Sequence, residues 1–326
     1  MLKKLILAGA TSLAMCGSLV QAGEMSLADF LPPTHPYQEK VYGELAKRVA
    51  EATNGDVTVR VYPGGALGGN PVEQYDRALN GVADITFSLP GYTASKFPTT
   101  LLMELPGVIE EDTATANVWE NIDHIRDEYK RVHLLSIWTN GENVLYLRDK
   151  PVRSLADVKG LKIRVPSKNA GLIVESWGAV PISMPVPAIY NAMQTGVIDG
   201  TLIDSTATYA FKLGEVSKYV TSGMDGAISP FVLFMNRDSY GSLSDDHKAA
   251  FDRIGQEIAA IANGIQLGGV AYGRKLFAEA DGKEWIELSA EAAAEFDAAS
   301  SGVIAAVVAA SADPAKAQAF VDALKK

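Results

Sequence analysis

The feature that most constrains the fold is a regular alternation of short strand patterns with helix patterns. A helix pattern at 37–53 is followed by the strand pattern Val57–Tyr62, a second helix pattern at 72–80 and a second strand pattern at 83–88. Valines occupy every second position of the first strand, whereas apolar residues in the first helix recur at helical spacing. This alternation is typical of an α/β fold with a doubly wound sheet.

The alternation restarts after Phe97-Pro98 and continues through most of the chain. From Asp245 onward the sequence is alanine-rich and is predicted to be largely helical. About 304 residues remain after a leader of 22 is subtracted from 326, a length that indicates two domains. Further helices are predicted at 114–130, 169–177 and 189–195, and further strands at 132–138, 144–148, 161–165, 200–203 and 230–236.

Residues 1–22 have the pattern of an export signal. Two lysines precede an uncharged and mostly apolar stretch, and Val20-Gln21-Ala22 fits a small-residue cleavage site, so we expect cleavage after Ala22 and a periplasmic protein. One alternative is a membrane anchor, although the stretch is shorter than the roughly 20 apolar residues of a span. The other is a lipoprotein signal at Cys16, where the preceding Met15 is larger than such a signal requires.

Composition excludes several classes of partner and chemistry. Cys16 is the only cysteine, so we expect no disulfide and no thiol nucleophile after cleavage. Removal of the two leader lysines leaves 27 of the 29 basic residues against 39 acidic residues and changes the formal net charge from −10 to −12. This charge argues against nucleic acid and anionic membranes as partners. A local arginine can still hold a small carboxylate.

Motifs for nucleotide binding, metal binding and hydrolysis are missing from the sequence. The glycine-rich loop 64–69 is not followed by Gly-Lys-Ser/Thr and lacks the dinucleotide-binding spacing. The four histidines are scattered, without a zinc-binding pair at helical spacing, and no Gly-x-Ser-x-Gly motif occurs after the leader. We therefore predict no metal, no cofactor and no enzymatic activity.

Two segments about thirty residues apart carry the strongest motif signal. Leu161–Pro166 is a short strand that contains Arg164, and Met193–Gly200 is a helix end followed by Asp-Gly. Together with Val59–Gly68 and Pro151–Gly160, in this order and spacing, they resemble the extracytoplasmic solute-binding subunit of TRAP (tripartite ATP-independent periplasmic) transporters. Each motif is weak alone, but the resemblance covers nearly the whole chain after the leader.

This resemblance implies a two-lobed α/β fold of the type II periplasmic-binding-protein class, with a ligand cleft between the lobes. It places lobe I at 23–140 and 229–270, and lobe II at 141–228 and 271–326. A long helix beginning near Asp245 is expected to brace both lobes. The resemblance also implies an integral membrane permease as partner, which supplies the energy for transport.

In the resembled family an arginine at the position of Arg164 clamps the carboxylate of the ligand. Because Pro166 ends its strand, Arg164 is expected at the carboxyl edge of the sheet, where ligands bind in open α/β folds. A guanidinium presents a planar fork of donors to a carboxylate, a contact worth about 1.5–3 kcal/mol net. The strand pattern alone fits equally well with Lys162 and Arg164 as two solvated cations on a half-exposed strand.

Departures from the family pattern narrow the expected ligand. Many members of the sialic-acid type have a second arginine where this chain has Asn143, and Glu-Asn-Pro where it has Leu202-Ile203-Asp204. Val186 replaces a ring-bearing residue of those members. One arginine beside an apolar wall suits a small monocarboxylate, such as a keto, hydroxy or aromatic acid, better than a large acidic sugar.

Four further residues are predicted to contact the ligand. Asn143 offers both a donor and an acceptor. Asp204 fits several roles: an ion pair with Arg164, an acceptor for a ligand hydroxyl or amine, a metal-carboxylate pair, or a helix N-cap. Tyr92 follows a strand of lobe I and His35 lies in the first strand-to-helix loop, so both face the expected cleft. The alternatives are core or surface packing for Tyr92 and helix capping for His35.

These observations predict a periplasmic subunit that captures a small organic acid and delivers it to a TRAP permease. One alternative is a periplasmic enzyme that acts on a carboxylic acid, and it predicts turnover of the bound molecule. The other is a sensory binding protein that presents its ligand-bound form to a receptor kinase.

Overall fold

The computed structural model describes residues 23–325, so the predicted leader and its cleavage site lie outside the described residues. Alternating apolar segments form strands, and these lie in two separate sheets. The strands are β1 (Gly23–Ala28), β2 (Val57–Tyr62), β3 (Ile85–Ser88), β4 (His133–Thr139), β5 (Val144–Leu147), β6 (Lys162–Val165), β7 (Val180–Ser183), β8 (Gly200–Ile203), β9 (Tyr219–Ser222), β10 (Pro230–Met235) and β11 (Glu284–Glu287).

Helices cover both sheets, which confirms the predicted α/β class. Most are short, and one of them, α10, is much longer than the others. The helices are α1 (Glu44–Ala52), α2 (Gln74–Leu79), α3 (Ala114–Glu120), α4 (Leu155–Val158), α5 (Lys168–Ser176), α6 (Ile189–Gln194), α7 (Ala207–Ala210), α8 (Leu213–Val216), α9 (Arg237–Gly241), α10 (Asp245–Ala278), α11 (Ala290–Ser300), α12 (Val303–Ala309) and α13 (Pro314–Leu324).

Each sheet contains one strand that is antiparallel to both of its neighbours, an arrangement that a simple βαβ repeat does not produce. The first sheet has the order β2-β1-β3-β10-β4, in which β1 is parallel to β2 and β3, whereas β10 is antiparallel to both neighbours. The second sheet has the order β11-β9-β5-β8-β6-β7, in which β5 is antiparallel to β8 and β9. Two strands from late in the chain complete the sheets: β10 pairs with β3 and β4 in the first sheet, and β11 pairs with β9 in the second.

The chain crosses between the sheets where the cleft is expected. It crosses after β4 through residues 140–143 and returns before β10 through residues 223–229. The two crossings are joined to each other, because the Asn140 N–H donates to the Ser229 carbonyl over 3.0 Å and the Ser229 N–H donates to Asn140 Oδ1 over 2.6 Å. These two hydrogen bonds hold the two crossing segments side by side between the lobes.

Helix α10 makes the third crossing and contacts both lobes, as expected for the bracing helix. Ser244 caps its first turn by accepting a hydrogen bond from the His247 N–H over 3.2 Å. The first half packs on β4 and α1, and the second half contacts α7 and β11. Buried Phe251 and Phe277 anchor its two ends in the apolar core. The helix therefore links the two sheets through packing as well as through the chain.

The predicted boundaries of the two lobes stay a prediction. Strands from 23–139 and 230–235 form the first sheet, and strands from 144–222 and 284–287 form the second. The last helix, α13, contacts α3 of the first lobe, and the ring of Phe320 stacks on His124 at 5.2 Å. The C-terminal segment that was predicted for lobe II therefore also contacts lobe I.

Three predicted elements differ in detail from the structure. The helix predicted at 114–130 ends at Glu120, and 3₁₀ turns follow at 122–124 and 126–129. The Asn121 side chain donates to the Asn117 carbonyl over 2.9 Å, and such local side-chain bonds compete with a continuing helix. The helix predicted at 37–53 begins with a π-helical turn at 38–43, and the stretch predicted as extended at 181–187 ends in a 3₁₀ turn.

The apolar stretch Ala290–Ala309 is long and apolar enough to cross a membrane by length and composition alone. In this structure it is divided by a turn at Ser301-Gly302 into α11 and α12. Phe296 and Val303 are buried and join the same apolar cluster as α5. The stretch therefore forms two covering helices of the second lobe.

Gly255 sets the distance between α10 and the first sheet. A Cβ added at this position would lie 1.8 Å from the Leu135 carbonyl oxygen, and the Ser136 hydroxyl already donates to the Gly255 carbonyl over 2.7 Å. The Gly255→Ala variant should therefore lose about 3 kcal/mol or more of unfolding free energy, measured by urea denaturation, because backbone atoms must separate.

The matched control is Gly268→Ala on the same helix. Gly268 is exposed, and a Cβ there meets no atom within 4 Å. This variant should gain about 0.5–1 kcal/mol, because alanine favours a helix interior over glycine. Equal effects of the two substitutions would contradict the assigned contact.

Candidate functional site

A cavity lies between the two sheets, at the point where the chain crosses between them. Its volume is about 530 Å³, including space that is open to solvent. Strand ends and loops of both lobes contribute to its wall. All five predicted site residues line the cavity, and they are Arg164, Asn143, Tyr92, Asp204 and His35.

Arg164 lies on β6 between two parallel neighbours, at the carboxyl edge of the second sheet. It pairs with Thr201 of β8 and Ile182 of β7, and the strand ends one residue later. Arg164 is only 1% exposed, whereas Lys162 on the same strand is exposed. The alternative of two solvated cations therefore fits Lys162 but not Arg164.

The Arg164 guanidinium is held by neutral oxygen atoms. Nε donates to the Met184 carbonyl over 2.8 Å, Nη1 reaches the Leu202 carbonyl at 3.5 Å and Nη2 reaches the Tyr92 hydroxyl at 3.4 Å. Within residues 23–325, no carboxylate lies within 4.0 Å of it, although Glu104 is close enough to favour its charge. Burial lowers the pKa of Arg164, but a guanidinium remains protonated at neutral pH. The site therefore holds a buried positive charge with N–H donors to spare.

Tyr92 brings the first lobe into contact with this charge. Its hydroxyl accepts from the Val186 N–H over 3.0 Å and from Arg164, which leaves its own hydrogen available. Burial raises the pKa of Tyr92, so the hydroxyl stays protonated and can donate. Since Tyr92 follows β3 and both partners belong to the second lobe, this contact joins the lobes across the cleft.

Asn140 connects the chain crossing to two predicted site residues. Its Oδ1 accepts from the Ser229 backbone N–H, and its Nδ2 donates to Asn143 Oδ1 over 2.8 Å and to Asp204 Oδ2 over 3.0 Å. Asn143 is 1% exposed, and its Nδ2 has no hydrogen-bond partner among the described residues. An unpaired donor of this kind in a cavity wall is costly until a ligand or water satisfies it.

Asp204 is buried beside Asn143 and does not contact Arg164. Its Oδ1 accepts from the Thr206 backbone N–H over 2.9 Å and from the Thr206 hydroxyl. Burial raises the pKa of Asp204, and the hydrogen bonds from Thr206 and Asn140 oppose that shift. Of its predicted roles, an ion pair with Arg164 is absent from the described contacts. The N-cap position of α7 belongs to Thr206, and Asp204 lies two residues before it.

His35 is a buried neutral imidazole in the cavity wall. Its Nδ1 accepts from the Tyr37 N–H over 3.2 Å, so the proton is on Nε2. Burial lowers the pKa of His35 to about 4. The ring contacts Tyr37 edge-on at 4.7 Å and lies 5.9 Å from the ring of Phe211. His35 therefore accepts a hydrogen bond from a backbone N–H at the start of the first helical turn, and it also lines the cavity.

Comparison with known proteins identifies the family of this chain. Residues 27–311 match the family of bacterial extracellular solute-binding proteins, family 7, known as DctP. The chain belongs to this family. The predicted membership among TRAP solute-binding proteins is thereby confirmed, and so is the two-lobed type II fold.

Solved structures and a curated relative agree with this assignment. A marine metagenome TRAP solute-binding protein specific for aromatic acids, solved with 3-hydroxybenzoate, is 29% identical with a TM-score of 0.87, covering 94% of this chain and 97% of that one. A TRAP protein from Rhodoferax ferrireducens, solved with copurified benzoate, is 28% identical with a TM-score of 0.87 over 93% and 96%. The C4-dicarboxylate-binding protein DctP of Rhodobacter capsulatus is 27% identical over 301 residues, 89% of each chain.

The cavity of this solute-binding protein also contains residues that the sequence patterns did not single out. Asn140, Thr206, Ser229 and Gln266 add polar groups from the crossings, from the segment before α7 and from α10. Five aromatic side chains join the predicted Tyr92 in the apolar wall: Phe30, Tyr37, Phe87, Phe211 and Phe231. A sequence signal existed for part of this set, because several of these residues lie on or directly after predicted strands.

The low pKa of His35 makes stability depend on pH. Burial depresses the pKa of His35 from 6.5 to about 4 in the folded protein, so between these pH values the unfolded chain binds a proton that the folded protein does not. The contribution of His35 to the free energy of unfolding is therefore fully present above pH 6.5 and is lost as the pH falls toward 4. The loss attributable to His35 should be about 3 kcal/mol. Urea denaturation of wild type and His35→Gln between pH 7 and pH 4 isolates it as a pH-dependent difference.

NMR titration of the imidazole resonances provides an independent reading, with the His35→Gln variant used for assignment. We expect the resonance that disappears in the variant to titrate near pH 4. A titration of that resonance near pH 6.5, or parallel pH dependence of the two proteins, would show that His35 is not buried as described.

Proposed function

We propose that this protein is the periplasmic subunit of a TRAP transporter that captures a small monocarboxylate in the interlobe cavity and delivers it to a membrane permease. The observation that carries the proposal is the buried Arg164 guanidinium, which has free donors and no carboxylate partner among residues 23–325. Burying a charge without a counterion is costly. An anionic ligand removes that cost when it binds.

The polar groups of the cavity favour an acceptor-rich ligand. Arg164, Tyr92, Asn143 and His35 each have an N–H or O–H that is not used by a described partner. A carboxylate is an acceptor only and matches such donors. We propose that Arg164 and Tyr92 bind the carboxylate, and that Asn143 and His35 contact the rest of the ligand.

The apolar wall favours a flat or compact hydrophobic body for the ligand. Phe87 lies 5.4 Å from Phe30 and 5.6 Å from Phe231, so aromatic faces and edges surround the cavity. Two of the structural relatives were solved with aromatic acids. Among the described lining residues, Arg164 is the only lysine or arginine, so a second carboxylate would have no second cation. We therefore propose an aromatic or similarly apolar monocarboxylate as the solute class.

Contacts across the cleft support closure of the lobes around the ligand. Ser167 of the second lobe donates to Glu104 of the first, and Asn169 donates to the Leu101 carbonyl over 2.8 Å. A ligand bound to Arg164 and Tyr92 adds a further bridge, so it binds the closed form better than the open form. This difference in affinity drives closure, and the closed form is the one that the permease recognises.

We propose binding without turnover, in agreement with the role of the relatives as solute-binding proteins. The enzyme alternative predicts chemical conversion of the acid. Incubation of excess acid with the protein, followed by chromatography and mass spectrometry, should recover the acid unchanged.

Export should remove the predicted leader after Ala22. The mature chain then begins at Gly23, the first residue of β1, whose N–H donates to the Asp56 carbonyl over 2.8 Å. Intact-mass analysis of protein from the periplasmic fraction should give a chain that starts at Gly23. Retention of the leader, or a lipid-modified Cys16, would contradict this site.

Loss of the Arg164 fork should weaken binding of the acid. For an aromatic monocarboxylate, Arg164→Ala should raise Kd by about 10- to 150-fold, measured by calorimetry, because a charge-assisted contact of about 1.5–3 kcal/mol is lost. Arg164→Lys should recover only part of the lost affinity, since lysine keeps the charge but not the planar fork.

The matched control is Arg60→Ala, an arginine on β2 whose side chain is 63% exposed. It should leave Kd unchanged within a factor of two. If Arg164→Ala binds the acid as tightly as the control does, the carboxylate does not bind at Arg164.

A further inference from the structure

The cavity has a second polar region, formed by Asn143 and Asp204. Val144 of β5 pairs with Ile203 of β8, so these two residues are the next opposed pair beyond the end of the ladder. Both are buried, at 1% and 3% exposure, and both line the cavity. Their side chains therefore form a polar spot in a wall that is otherwise largely aromatic.

The hydrogen-bond network fixes which atom of Asn143 is free. The Ser229 backbone N–H can only donate, so it holds the Asn140 amide with the oxygen toward Ser229. The Asn140 NH₂ group must then face Asn143 and Asp204, which it does. Asn143 consequently uses its oxygen as an acceptor, and its Nδ2 group remains without a partner among the described residues.

Asp204 retains capacity for one more donor. A carboxylate offers about four acceptor sites. Two on Oδ1 are taken by the N–H and the hydroxyl of Thr206, and one on Oδ2 is taken by Asn140. One site on Oδ2 therefore remains, on a side chain that shares the Asn140 amide nitrogen with Asn143, whose own Nδ2 is unpaired among the described residues. The spot thus presents one donor and one acceptor together.

A hydroxyl group satisfies both atoms at once. Its oxygen accepts from Asn143 Nδ2, and its hydrogen donates to Asp204 Oδ2. An ammonium group has no acceptor for Asn143, and a second carboxylate has no donor for Asp204 and is repelled by it. The neutral, two-way character of a hydroxyl distinguishes it from these charged groups.

The backbone between the two polar regions is short, which favours a compact acid. Leu202, whose carbonyl contacts Arg164, is two residues before Asp204, and two residues of extended chain span about 6–7 Å. A carboxylate at Arg164 and a hydroxyl at Asn143 and Asp204 are then separated by about the width of one aromatic ring. The apolar wall contacts the body between them.

We propose that Asn143 and Asp204 recognise a ligand hydroxyl, so that the preferred solute is a hydroxylated monocarboxylate with its hydroxyl group across the body from the carboxylate. This inference rests on the proposed function, because the carboxylate bound at Arg164 places the hydroxyl. It makes Asn143 and Asp204 the residues that determine specificity within the class of small acids.

Calorimetry with benzoate and its 2-, 3- and 4-hydroxy derivatives tests the proposal on the mature full-length protein. 3-Hydroxybenzoate or 4-hydroxybenzoate should bind about tenfold or more tightly than benzoate, whereas 2-hydroxybenzoate, whose hydroxyl lies beside the carboxylate, should show no such gain. In Asn143→Ala this ratio should fall to within about twofold, because the hydroxyl oxygen loses its donor. The matched control, Asn117→Ala, removes an asparagine that contacts the Leu324 carbonyl outside the cavity, and it should preserve the wild-type ratio.

A second measurement on wild type covers the case in which Asn143→Ala does not fold. Methylation of the preferred hydroxyl removes the hydrogen that Asp204 accepts, so the methoxy acid should bind about tenfold more weakly than the hydroxy acid. Equal affinity of the two acids would overturn the assignment of Asp204 as acceptor.

These experiments distinguish failure of the hydroxyl subsite from failure of the proposed function. If benzoate binds in a manner that depends on Arg164 but no hydroxy acid binds more tightly, the hydroxyl subsite is wrong and the proposed function stands. The same conclusion follows if the hydroxyl preference persists in a folded Asn143→Ala. If neither benzoate nor any hydroxy acid binds, the proposed solute class fails, and this inference fails with it.

Discussion

The buried guanidinium of Arg164 is the constraint on which the site depends. Removing such a cation from water costs several kcal/mol, and in the described chain its direct hydrogen-bond partners are two backbone carbonyls and one hydroxyl, with Glu104 acting on it only from beyond 4.0 Å. Its rigid place on β6, between two parallel strands, prevents the side chain from escaping to solvent. The protein therefore holds a positive charge in an aromatic cavity that an anion can complete. A net acidic chain can select an anion because this local field, in a region of low dielectric, outweighs distant surface charges.

The polar residues near Arg164 also connect the two lobes. Tyr92 reaches Arg164 from the first lobe, and Asn140 joins the crossing near Ser229 to Asn143 and Asp204. The groups that are proposed to contact the ligand are thus also the groups that join the two lobes. On this proposal, binding and closure are coupled because the same side chains take part in both. Helix α10 limits the possible motion, since it packs on strands of both sheets.

The sequence predicts the local elements and the family well, because strand alternation and helical periodicity depend on near neighbours. It does not reveal that β10 inserts antiparallel between β3 and β4, since that pairing joins residues that are about 90 to 150 positions apart in the chain. For the same reason the aromatic wall was missed: Phe30 and Phe231 both approach Phe87 only after the sheet forms. The prediction of one continuous helix at 114–130 was wrong, because the Asn121 side chain donates to the Asn117 carbonyl and competes with a continuing helix. The five predicted site residues line one cavity, but the orientation of Asn143 is set by Ser229, which no local pattern connects to it.

A crystal structure of the mature protein with a bound aromatic monocarboxylate would show whether Arg164 holds the carboxylate. We expect both carboxylate oxygens to lie within about 2.7–2.9 Å of Arg164 nitrogen atoms or the Tyr92 hydroxyl, with the ring against the aromatic wall. A carboxylate bound to a different cation, with Arg164 still held only by Met184, Leu202 and Tyr92, would contradict this expectation.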